Sequence, residues 1–102
     1  MTIPQHFRHT RATPFWDKTT VPQALLNRHN TKQGVYARLS VMRGAVKYVG
    51  FADEQAQAAE REVVIKAGCF AISPPQYWHR IELLTDDTYF NLDFFAADAD
   101  RR

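Results

Sequence analysis

The sequence predicts an all-β domain, a small barrel or sandwich with an extended N-terminal arm. Two observations carry this. Six or so short segments with strand character follow one another from residue 35, with turn signals about every 8–12 residues. Only one stretch, 21–29, offers a convincing helix start. The chain has 102 residues, of which 45% are hydrophobic and 13% aromatic. That is enough for one packed core and leaves no room for two, so residues 1–102 are read as a single domain.

The elements follow in order. Residues 1–20 form the arm: Pro4 and Pro14 break any helix, nothing repeats at 3.6, and Phe15 and Trp16 are expected to dock on the domain. Residues 21–29 (VPQALLNRH) suit one or two helical turns, with Thr20 as cap and Pro22 in the first turn. Val35–Met42 alternates, with Val35, Ala37, Leu39 and Val41 on one face and Tyr36, Arg38, Ser40 and Met42 on the other. Arg43-Gly44 turns the chain, and Ala45–Phe51 returns. The stretch 52–61 is rich in helix formers but has no apolar face, and is read as a solvated loop. Glu62–Lys66, Cys69–Ser73, Tyr77–Leu84 and Thr88–Phe95 are the remaining strands, punctuated by Ala67-Gly68, Pro74-Pro75 and Thr85-Asp86-Asp87. Residues 96–102 are expected to fray.

Charge and composition narrow the function. Residues 1–50 hold eight Lys/Arg and one acid, and residues 51–102 hold five Lys/Arg and ten acids, giving halves of +7 and −5 within a net +2. Two such halves of one small domain neutralise each other, so nucleic-acid binding is not expected. No apolar run reaches the roughly 18 residues of a membrane span. The polar, basic start is not a secretory signal. The lone Cys69 permits no internal disulfide and suits a reducing compartment, taken as the bacterial cytoplasm.

Two longer segments carry a family resemblance: HNTKQGVYARLSVMRGAVKY (29–48) and GCFAISPPQYWHRIE (68–82), the latter continued by TDDTYFNLDFF (85–95). With TPFW near the start, they resemble the YeaR-like small cupin proteins and the N-terminal cupin domain of the tellurite-resistance (TehB-like) proteins. The resemblance implies a cupin-type double-stranded β-helix. In that fold Gly68, Pro75 and His79 correspond to the second motif, and Gly44 to the glycine closing the first. It also implies a role in bacterial stress response and a homodimer. The usual metal ligands of the first motif are absent: the glutamate position is Ala37, and residues 30–33 read Asn-Thr-Lys-Gln. The asparagine that often follows the second-motif histidine by four is Leu83. With only Gly34, Gly44, Gly50 and Gly68, no G-x-G-x-x-G loop exists, and the methyltransferase activity of the longer proteins is not carried over.

The candidate chemistry centres on His79, which can ligate a metal or move a proton near neutral pH. His29 is its nearest partner, and Asp93 the preferred oxygen donor. The set His29, His79 and Asp93 would suit one divalent transition metal: zinc, iron, nickel or manganese. Glu82 is an alternative oxygen, although strand parity turns it away from His79. Tyr36, Arg38, Trp78 and Tyr89, with Glu82, are the candidate ligand-binding residues, Arg38 holding an anion. The competing role for these aromatics is a subunit interface. His6 and His9, spaced i and i+3, read as solvated arm residues rather than a chelate. Cys69 reads as a small buried residue rather than a nucleophile. Three functions stay open: a non-enzymatic module binding a small anion or metal, a metal-dependent dioxygenase or isomerase using His29 and His79, and a structural or partner-binding domain.

Overall fold

A computed structural model of the chain describes residues 2–97. The elements are β1 (Phe7–Ala12), α1 (Gln23–Leu26), β2 (Val35–Arg43), β3 (Ala45–Phe51), β4 (Arg61–Lys66), β5 (Phe70–Ser73), β6 (Trp78–Leu83) and β7 (Tyr89–Ala97). They build two open antiparallel sheets, one in the order β1-β7-β2-β5 and one in the order β4-β3-β6. The all-β expectation holds, and the loop 52–60 separates β3 from β4 without a helix.

The alternation read along β2 is present, and the Ala37–Leu39–Val41 face is the inner one. Ala37, Leu39 and Val41 are buried, and Met42 is exposed. A strand presents successive side chains to opposite faces, so one apolar set must meet the other sheet. Leu39, Val41 and Phe90 from the four-stranded sheet meet Val46, Tyr48, Ile65 and Ile81 from the three-stranded one. Full burial of side chains of this size contributes roughly 1.5–3 kcal/mol each.

The chain passes between sheets at corners rather than through hairpins. Gly44 makes the β2–β3 corner at φ +71°, where a side-chain Cβ would meet the Thr88 Cα at 2.8 Å. Only a residue without a Cβ combines that backbone with that approach. The Thr88 hydroxyl sits against the same corner and donates to the Ala45 carbonyl at 3.1 Å.

Three local expectations are corrected. The arm contains a strand: β1 pairs with β7 from Phe7↔Ala97 to Ala12↔Asp93. It was illegible because FRHTRA has no alternating apolar face, and an edge strand lying mostly in solvent needs none. The same pairing places Ala96 and Ala97 in β7 rather than in a frayed tail; residues 98–102 lie outside the described residues. The helix is one turn long, and Thr20 does not cap it: Pro22 holds the N-cap position without a side-chain bond, and the Thr20 hydroxyl is bonded to Asp17. The docking of the arm's aromatics is as expected. Trp16 and Phe90 exchange backbone hydrogen bonds at 2.7 and 3.1 Å, and Phe15 stacks on Tyr89.

Candidate functional site

Between the two sheets lies a cavity of about 320 Å³. Its walls are the inward positions of the strands: Ala37 and Leu39 of β2, Ala71 of β5, Ile81 of β6, and Leu92 and Phe94 of β7. The segment after α1 crosses its mouth and adds His29, Asn30, Thr31 and Lys32. That segment is tied down by backbone bonds. His29 and His79 exchange N–H···O bonds of 2.9 and 2.8 Å, and the Gln76 N–H donates to the Thr31 carbonyl at 2.9 Å.

The inner end of the cavity is polar. Tyr48, Ser73 and His79 are all buried there, with the Tyr48 hydroxyl 2.7 Å from the Ser73 hydroxyl. Ser73 Oγ lies 3.4 Å from His79 Nδ1, and the Tyr48 ring stacks on the imidazole at 4.9 Å. His79 Nδ1 is 2.7 Å from the Tyr77 carbonyl, and His29 Nδ1 is 2.9 Å from the Asn27 carbonyl. A carbonyl only accepts, so each ring carries a proton on Nδ1. In the neutral ring this leaves Nε2 as an acceptor. Burial, reinforced by the neighbouring His29 and opposed by the Tyr77 carbonyl, pushes the His79 imidazole down to about 4. His79 is therefore neutral near pH 7. Among the described residues no buried polar side-chain atom lacks a partner, and no residue bonds His79 Nε2, so that nitrogen is accessible, on a residue that lines the cavity.

The outer end is basic. Arg11 and Lys32 line the cavity and are both exposed. Arg11 reaches this position through a β-bulge. The register of β1 against β7 shifts between His9, opposite Phe95, and Arg11, opposite Phe94. Without the extra residue Thr10, Arg11 would share the outer face with His9; with it, Arg11 lies over the cavity-lining Phe94 ring at 4.7 Å.

The expected residues are only partly brought together. His29 and His79 meet, with ring centroids 4.2 Å apart. Asp93 does not join them. It alternates with the inward Leu92 and Phe94, and on the outer face of β7 it pairs with His9 at 2.9 Å and Arg38 at 3.4 Å. Among the described residues no group of three His, Cys, Asp or Glu side chains stands close enough to hold a metal ion. Tyr36 and Arg38 also lie on that outer face, against Phe7 and Phe95 respectively. Trp78 and Glu82 share the outward parity of β6, opposite Phe51 and Lys47, and Glu82 is hydrogen-bonded to Arg80. The four therefore sit on opposite outsides of the molecule and line no common pocket. Tyr89 is likewise outside, between Phe15 and Arg43. His9 is engaged by Asp93 rather than free in an arm. Cys69 is exposed, not buried, because β5 begins one residue later and leaves it in the turn.

The sequence reading missed Tyr48, Ser73, Arg11 and Lys32. A signal existed for the first two: both are polar residues at inward positions of strands otherwise lined by Val46 and Ala71. No local signal marked the last two.

Residues 11–92 match the family described as the TehB-like domain. The chain is 56% identical over 98 residues to the uncharacterised protein YeaR of Escherichia coli K12, covering 93% of this chain and 82% of that one. It is 32% identical over 87 residues to a probable S-adenosyl-L-methionine-dependent methyltransferase, TehB, of Haemophilus influenzae, covering 85% of this chain but 30% of TehB. Among solved structures, a crystal structure from Escherichia coli K12 superposes with a TM-score of 0.92 at 55% identity, covering 95% and 97% of the two chains. The crystal structure of Haemophilus influenzae TehB superposes with a TM-score of 0.86 at 29% identity, covering 94% of this chain and 33% of TehB. Among the described residues no helix is long and apolar enough to cross a membrane.

Proposed function

The chain belongs to the TehB-like domain family, and from that premise we propose that it is a small-molecule-binding domain whose ligand occupies the cavity between the sheets. One observation carries this function. An apolar-walled cavity is lined at its inner end by the buried imidazole of His79 and the hydroxyls of Tyr48 and Ser73. Ligand sites have this character: mostly apolar walls with a few fixed polar groups. The methyltransferase activity named for TehB is not proposed here, because the chain spans about a third of that protein. The winding supports a cupin-type double-stranded β-helix as the scaffold: from β2 onward, four of five connections pass from one sheet to the other.

A specific observation favours a second function, metal binding. Histidine ligands of metals ordinarily donate the far ring nitrogen to a carbonyl or carboxylate, which fixes the ring. His29 and His79 both do so, and both line the cavity. They fit two positions of a divalent transition metal; Asp93 does not supply a third, so water or a bound ligand would have to. A metal-dependent dioxygenase or isomerase would need those open positions.

Metal analysis of untagged protein, with native mass spectrometry of the same sample, tests both. A stoichiometric transition metal lost in His79→Ala supports the second function. A small organic molecule released on denaturation, with no metal, supports the first. Protein with neither, whose melting point no small molecule or metal raises, counts against both and favours a partner-binding domain.

A further inference from the structure

We infer that the cavity selects a small organic carboxylate, its charged end at the Arg11–Lys32 mouth and a hydroxyl group at its inner end. This rests on the ligand-binding function above and specifies its ligand.

The charge of the lining is one-sided. Among the described residues it includes Arg11 and Lys32 and no Asp or Glu. Neither cation makes an ion pair with a described residue, a property they share with Arg28, Arg43, Arg61 and Lys66, none of which lines the cavity. The carboxylate nearest in register to Arg11, Asp93, faces away and is already engaged by His9 and Arg38. Two unpaired cations on the rim of a low-dielectric pocket attract an anion and disfavour a cation.

The inner end requires the opposite property. Both imidazoles commit the Nδ1 proton to backbone carbonyls, so neither can give that proton to a ligand. The Tyr48 and Ser73 hydroxyls, 2.7 Å apart, use one of their two protons on each other, so a neutral group that both donates and accepts, such as a hydroxyl, fits this end better than a second anion. Between the ends, Leu39, Ile81, Leu92 and Phe94 offer apolar contact for a short aliphatic or aromatic body. The bulge at Thr10 supports the assignment independently, since a regular β1 would leave Arg11 on the outer face.

Isothermal titration of the full chain with 4-hydroxybenzoate and 6-hydroxyhexanoate, and with the corresponding neutral amides, tests this. The acids are expected to bind at least about tenfold tighter than the amides, and more weakly as salt is added. Arg11→Gln and Lys32→Gln are each expected to weaken the acids about tenfold and leave the amides unchanged. Ala71→Leu, or Ala37→Leu where the first fails to fold, fills the cavity and is expected to abolish binding of all four. Amides that bind as well as acids, blocked by the filling variant and indifferent to Arg11 and Lys32, overturn the carboxylate assignment but keep the cavity. Acids that bind equally well to the filled variant overturn the cavity itself. No binding by any of the four overturns the assignment.

Discussion

His29 and His79 exchange both of their backbone hydrogen bonds, at 2.9 and 2.8 Å, and bring their ring centroids to 4.2 Å. The first residue lies in the segment crossing the cavity mouth and the second on the inner wall. This bridge, with the Gln76–Thr31 bond, fastens that segment to β6.

If the backbone rather than the ring fastens the segment, His29→Pro and His29→Ala must differ. Proline removes the N–H that reaches the His79 carbonyl and leaves that acceptor without its partner. The expected loss is about 1–3 kcal/mol. Alanine keeps both backbone bonds, and its cost should stay below about 1 kcal/mol. Urea unfolding of the two variants measures the difference; equal costs would assign the fastening to the imidazoles.

His79 sets a pH dependence in the metal-free protein. Its folded value of about 4 lies below the ordinary 6.5, so between these limits the unfolded chain binds more protons. Stability is therefore complete above about pH 6.5 and falls as the pH drops toward 4, by up to about 1.4 kcal/mol per pH unit and about 3 kcal/mol in all. Asp17 and Glu82, both lowered by hydrogen bonds, act in the same direction only below about their ordinary values of 3.8 and 4.5. Denaturant midpoints across pH 4.5–7 should slope upward in the wild type and flatten in His79→Gln.

Two glycines with similar backbones should respond differently. Gly44 and Gly68 both have positive φ, +71° and +85°. An added Cβ at Gly68 meets nothing within 4 Å, whereas at Gly44 it meets Thr88 backbone at 2.8 Å. Gly68→Ala should cost about 1 kcal/mol of conformational strain. Gly44→Ala should cost about 2–4 kcal/mol, because the β6–β7 turn must shift as well. Melting temperatures of the pair decide it; equal shifts would mean that the corner yields easily.

Asp93→Asn is expected to leave every cavity property untouched. The side chain faces away from the cavity, toward His9 and Arg38, and partly exposed pairs of this kind contribute about 0–1 kcal/mol. Metal content and carboxylate affinity should match the wild type. A lost metal would place Asp93 among its ligands and contradict its position.

The sequence by itself determined which residues of the longer strands share a face: Ala37, Leu39 and Val41 lie together, and Glu82 lies opposite in parity to His79, because period-two alternation is a property of the local backbone. Which face turns inward was decided by the assembled sheets, and Tyr36 and Arg38, read as ligand-binding residues, lie outside. The sequence also singled out His29 and His79. The same alternation, counted from Leu92 and Phe94, would have turned Asp93 away, but its apolar neighbours suggested burial, and burial on the outer face was not distinguished from burial in the core. Only the tertiary structure decided what those residues meet. The His29–His79 bridge joins two strands' worth of chain distant in sequence, and a bulge that depends on pairing with β7 swings Arg11 onto the cavity rim. Pairing register and bulges are set by contacts between remote segments, so no local pattern encodes them. For that reason the all-β character was legible in the chain, while the edge strand β1 and the polar ends of the cavity became visible only once the sheets were assembled.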